Sequence, residues 1–143
     1  MILRLILYFI PLIFGGLIYI VFRPETLIMF QWFKYITISD KIMLIKSYRT
    51  AYSFPHWFIY NLPDGLWIFS YTAISLEIWK HSITRQNIFW IFSIPITAIS
   101  SEFFQFFKII SGTFDFLDAA FYSVGTIFPY HISTKIILNT KKT

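Results

Sequence analysis

Five side chains in this sequence combine reactive chemistry with suggestive spacing: Asp64, Glu102, Gln105, Asp115 and Asp118. The whole chain holds seven Asp and Glu, and three of them fall between positions 102 and 118, among phenylalanines and isoleucines. Residues three apart share a helix face, so Glu102 with Gln105 and Asp115 with Asp118 form two pairs on helices. Carboxylate and amide oxygens are the hard ligands that Mg²⁺ or Ca²⁺ prefers. They equally receive a cationic group or the polar head of a lipid, and two carboxylates can share acid–base work, with His56 as a third titrating group. The spacing does not choose among these, so the five residues are read as ligand-binding, with catalytic residues, metal and cofactor unassigned. The chain has no Ser/His/Asp order, no Gly-rich phosphate loop and no zinc-like His pairing. The plainer alternative is that Asp64, Asp115 and Asp118 stabilise helix N-termini, by ~0.3–1 kcal/mol each. That alternative leaves Glu102 unexplained, because it stands near a helix C-terminus, where negative charge is disfavoured.

The elements that must position these groups follow from composition. Hydrophobic residues make up 57 % and charged residues 13 %, against about 25 % charged in soluble domains. A water-soluble globule of 143 residues has too much surface to hide that apolar area. One all-α, polytopic membrane domain over residues 1–143 is expected, with the lipid bilayer as its first partner. The net charge of +5 comes from basic residues scattered singly between apolar runs. They suit anionic lipid head groups and form no stripe for nucleic acid. There are no cysteines, which excludes disulfides and thiolate metal sites.

A helix crosses the hydrocarbon core with about 20 apolar residues, and four spans are predicted, at about 2–22, 64–83, 87–107 and 115–138. The first is too long for a signal-peptide apolar region and is read as retained, with Pro11 and Gly15-Gly16 as a kink or close-packing surface. Residues 24–62 read as an interfacial connector, in which "PETLIMFQWFKYI" forms a helix starting at Pro24-Glu25. Pro63 and Asp64 suit the start of the second span, and Glu77, Lys80 and His81 close its far end as neighbours on one face. Gly112 in the Ser-Gly-Thr turn is the expected helix stop after the third. In the fourth, His131 beside Pro129 is expected to cap a freed carbonyl or bond across helices.

Four alternating spans bring Asp64, Glu102, Gln105, Asp115 and Asp118 to one membrane face, and the short turn between spans three and four draws the two pairs together. Six of the seven carboxylates fall on that side, with Glu77 on the other. Lys and Arg divide six against six between the two sides. Because the tail and the 80–85 turn are denser, the balance leans towards both termini in the cytoplasm.

In this order, an Asp opening an early span, E-x-x-Q ending another, and D-x-x-D with a later Gly opening the last, the chain resembles the VanZ-like family. These are small bacterial membrane proteins named for an accessory factor in glycopeptide (teicoplanin) resistance. The matching positions are Asp64 and Phe69, Glu102 and Gln105, then Asp115, Asp118 and Gly125, over roughly residues 60 to 128. The family's Lys and His after the first Asp are absent from "DGLWIF", its Arg before the third acid is replaced by Thr113, and Tyr122 stands for an expected Asn. The resemblance implies a multi-pass protein of the bacterial inner membrane that binds a lipid-linked or cationic ligand. Two alternatives stay open: a small subunit assembling with a membrane protein partner or with further copies of itself, and a metal-dependent enzyme on a phosphorylated lipid.

Overall fold

The computed structural model describes residues 2–47 and 53–140, the side chains of 135–140 excepted. Arg49, Lys141 and Lys142 of the charge census lie outside the described residues. All regular structure among them is helical: α1 (Ile2–Phe22), α2 (Ile28–Tyr35), α3 (Ser39–Ser47), α4 (His56–Tyr60), α5 (Leu62–Ile78), α6 (Ile88–Phe106) and α7 (Phe116–Thr140). Two helices, α1 and α6, are long and apolar enough to cross a membrane. α5 has 17 residues, and α7 dilutes its apolar residues with Asp118, Tyr122, Ser123, Thr126 and His131.

α5 is the centre of the bundle, packed against α1, α6 and α7. It is buried on several sides, so its core positions mix small or polar residues (Gly65, Ser70, Thr72, Ala73) with Ile68 and Leu76 and form no single apolar stripe. Small residues let helix backbones approach closely. A Cβ on Gly15 of α1 would lie 2.9 Å from the Trp67 indole nitrogen, and one on Gly125 of α7 would lie 2.5 Å from the Gly65 carbonyl oxygen. Of the glycine pair expected to pack, Gly15 does so and Gly16 meets nothing within 4 Å. Trp67 ties α5 to α1 by donating to the Leu12 carbonyl at 3.2 Å. Tyr71 ties α5 to α6, its hydroxyl donating to the Trp90 carbonyl and lying 3.1 Å from the Ser93 hydroxyl. The large apolar side chains point the other way, out of the bundle: Ile6, Ile13 and Leu17 on α1, and Phe89, Ile96 and Phe103 on α6.

Three boundaries differ from expectation. Helix α2 starts at Ile28, because residues 24–27 form a turn with Leu27 extended. Lys46 of α3 pins that turn, donating to the Arg23 carbonyl at 2.9 Å and pairing with Glu25 at 3.6 Å. Helix α5 stops at Ile78, five residues short of the expected end. Lys80 there takes φ +50°, its N–H bonds the Glu77 carbonyl, and the His81 N–H bonds Leu76, a Schellman closure. The same closure ends α6 at Lys108 (φ +57°), with Lys108 and Ile109 donating to Gln105 and Phe104. The stop is therefore Lys108, and Gly112 (φ +140°) serves the loop beyond it.

Candidate functional site

Asn61 sits at the joint between two helices, ending α4 and opening α5. It is fully buried. Its side-chain Nδ2 donates to Asp115 Oδ2 at 3.0 Å and to Asp118 Oδ1 at 2.7 Å, so one amide holds the two acids of α7 against the start of α5. This orientation of the amide follows from its partners, since the reverse would set its oxygen against two carboxylates. Asn61 Oδ1 is then left as a buried acceptor with no partner.

Asp115 has a second task. Its Oδ1 accepts the Leu117 N–H at 2.8 Å, the usual way an Asp satisfies the first free donors of a helix. Its own N–H donates to Glu102 Oε2 at 3.1 Å. That contact explains the buried carboxylate near the end of α6: Glu102 fastens the start of α7. Asp64, in the first turn of α5, faces Arg23, which immediately follows α1, at 3.8 Å. Arg23 also donates to the Tyr60 carbonyl at 3.3 Å and lies over the rings of Tyr60 and Tyr19. The charges of Asp118 and Glu102 act on Asp64, and those of Asp115 and His56 act on Asp118. Glu102, Asp115 and Asp118 are thus linked through Asn61 and the Asp115 N–H, while Asp64 pairs with Arg23. Gln105 stands apart from these groups: its amide covers Gly112, 2.9 Å from where a Cβ would be.

Arg23 and Asn61 are the groups that sequence reasoning missed. Arg23 reads in sequence as the end of a span, and Asn61 as a loop residue between prolines. Only the packing of α1, α4, α5 and α7 brings them among the acids. A Cβ on Gly125 would lie 3.2 Å from the Phe69 backbone nitrogen.

A cavity of about 450 Å³ opens beside this cluster, between α1, α5, α6 and α7. Asp64 and Tyr122 supply its polar lining together with Tyr71, and Leu12, Trp67, Ile68, Ile94 and Ala98 make the rest apolar. An apolar channel with carboxylate and phenol on its wall suits an amphiphile.

The far end of the bundle carries a second polar group. Glu77 Oε2 lies 2.9 Å from His81 Nε2 and 3.7 Å from the Arg4 guanidinium, and His81 Nδ1 lies 2.9 Å from the Ser133 hydroxyl. The expected neighbours Glu77 and His81 do meet, and His81 is a link between α5 and α7 where sequence suggested no special role. His131 is exposed on α7 beside Val124, Ile127 and Phe128. Among the described residues its side chain makes no bond across helices, so the expected role falls to His81. His56 stacks on Tyr60 with ring centroids 4.1 Å apart.

Among the described residues no three His, Asp or Glu side chains converge as a metal-binding group. No family model, curated protein or solved structure matches this chain.

Proposed function

We propose that this chain is a VanZ-like, four-span protein of the bacterial inner membrane that receives the polar head of a lipid-linked or cationic ligand at its acidic end. The observation that carries this reading is that buried Asn61 holds Asp115 and Asp118, with Glu102 fastened to the Asp115 N–H, while Asp64 lines a largely apolar cavity. Ionisable groups inside membrane bundles face the interior or a cavity and mark ligand paths. The four-span arrangement draws support from the two polar ends. Arg4 and Arg23, near the two ends of α1, are separated by about 28 Å of helix, close to the ~30 Å hydrocarbon thickness, whereas Asp64 and Glu77 on α5 are about 20 Å apart, which falls short of it.

The outward apolar faces of α1 and α6 also suit a protein partner or a second copy, but lipid satisfies them equally. Among the described residues no three-ligand group supports a metal-dependent enzyme.

The test is native mass spectrometry on protein extracted in discs of its own membrane, comparing wild type with Asp64→Asn and Asp118→Asn. A retained lipid-sized mass, lost in both variants while helicity persists, is the expected result. No retained mass, or equal retention in all three, contradicts the reading. In cells, the same variants should change susceptibility to glycopeptide antibiotics at unchanged protein level.

A further inference from the structure

Helix α1 is attached to the bundle on one side. α6 and α7 pack on each other as well as on α5, whereas among these helices α1 packs chiefly on α5. A groove is left on each flank of α1, with α5 as its floor. The groove towards α7 is lined by apolar residues throughout, Pro11, Leu66, Phe69, Phe121 and Phe128 among them. The groove towards α6 is the cavity in which Asp64, Tyr71 and Tyr122 join Leu12, Ile94 and Ala98. Ile94 lines it and is still 48 % exposed, so this cavity opens sideways onto the outward face of α6.

The lining changes character with depth. Counted along the helices from the acidic end, Asp64 lies about 3 Å below the start of α5 and Tyr122 about 9 Å below the start of α7. Ala98 and Leu12 lie about 12 and 15 Å from the ends of α6 and α1, and Ile94 about 18 Å from the end of α6. Tyr71, about 14 Å along α5, turns its hydroxyl away to the Trp90 carbonyl and Ser93. The cavity thus runs from a carboxylate and a phenol near the surface to aliphatic side chains about 15 Å deeper. Half of a ~30 Å hydrocarbon core has the same length.

These dimensions select an occupant. A helix of a second copy, about 10 Å across, would need roughly 1,200 Å³ over that depth, well beyond the cavity's about 450 Å³. A void left empty would forfeit the dispersion contacts of its walls. A flexible chain one leaflet long, admitted sideways and polar only at its upper end, meets the lining at every depth. The geometry points to the groove between α1 and α6 as a lateral entry from the bilayer, holding one acyl chain of a membrane lipid whose head lies beside Asp64. This rests on the four-span, ligand-binding reading above and adds the route and the part of the ligand that the groove holds.

The two grooves control for each other. Native mass spectrometry of the full chain, in discs of its own membrane, compares wild type with Ala98→Phe, which fills the groove towards α6, and Val124→Phe, which fills the groove towards α7. Wild type and Val124→Phe are expected to retain a lipid mass, and Ala98→Phe to lose it. Any other division between the two variants, or a dimer mass without lipid, overturns the assignment. Retention in Ala98→Phe together with loss in Asp64→Asn overturns the groove and leaves the ligand reading intact; no lipid on the wild type overturns both. Trp67 lines the same groove and gives a readout that does not depend on Ala98→Phe folding. With the other four tryptophans replaced by phenylalanine, its emission should be quenched in bilayers of phosphatidylcholine brominated midway along one chain. A Trp67 that stays unquenched there overturns the proposal.

Discussion

Replacing Gly125 by alanine tests how closely the two helices that carry the acidic cluster must approach. The new methyl would lie 2.5 Å from the Gly65 carbonyl oxygen and 3.2 Å from the Phe69 nitrogen. Both are backbone atoms, and neither can rotate aside. Restoring an ordinary separation of about 3.5 Å moves α7 away from α5 by roughly 1 Å. Overpacking of this kind costs about 1–3 kcal/mol. The same movement stretches the 2.7 Å bond from Asn61 to Asp118 beyond hydrogen-bonding range, adding about 1 kcal/mol. A total near 2–4 kcal/mol is expected. Gly16→Ala is the control, since nothing lies within 4 Å of its Cβ and removing a helical glycine should be neutral or stabilising by about 0.5–1 kcal/mol. Reversible unfolding in mixed micelles, titrated with dodecyl sulfate, measures both. If Gly125→Ala unfolds within about 0.5 kcal/mol of Gly16→Ala, the close α5–α7 contact is wrong, and with it the geometry of the site.

Other substitutions probe the caps and the two polar ends. Lys108→Gly should stabilise the protein by about 1 kcal/mol in the same titration, because Lys108 holds a left-handed conformation that costs a side chain about that much. Asp115→Ala should lose at least the ~0.5–2 kcal/mol of a helix cap, whereas Asp115→Asn should keep most of it. Asn61→Leu should cost more than either, because it leaves Asp115 and Asp118 facing each other without a donor; circular dichroism melting separates the three. His81→Ala should cost about 1–3 kcal/mol by removing the His81 contacts to buried Glu77 and Ser133, while His131→Ala, on an exposed face, should stay within about 0.5 kcal/mol of wild type.

Spacing and hydrophobicity made much of this legible. Apolar runs mark α1 and α6 nearly to the residue, and the three-residue spacing of Asp115 and Asp118 puts them on one face of α7, as found. Other features depend on contacts distant in sequence. Asn61 is 54 residues from Asp115 along the chain, and nothing local separates it from any loop asparagine. Arg23 becomes the partner of Asp64 only because α1 and α5 cross at Gly15 and Trp67. Gln105 shares a helix face with Glu102, but the backbone turns at Lys108 and folds Gly112 under its amide. A lysine in the left-handed region carries no sequence signal, since glycine is the residue that conformation favours. Helix α2 starts late for a similar reason: Lys46, about twenty residues on, holds Arg23 and Glu25 in a turn.

The most direct test of the central claim, four crossing helices that gather the acids at one face, uses the chain's lack of cysteine. Single replacements Ser53→Cys, Thr84→Cys, Ser111→Cys and Thr140→Cys would be labelled with a membrane-impermeant maleimide, in intact cells and in inverted vesicles. The expected result is that positions 53 and 111 label from one side and positions 84 and 140 from the other. Labelling of 53 and 84 from the same side would mean that α5 does not cross, and would contradict the arrangement on which the proposed site depends.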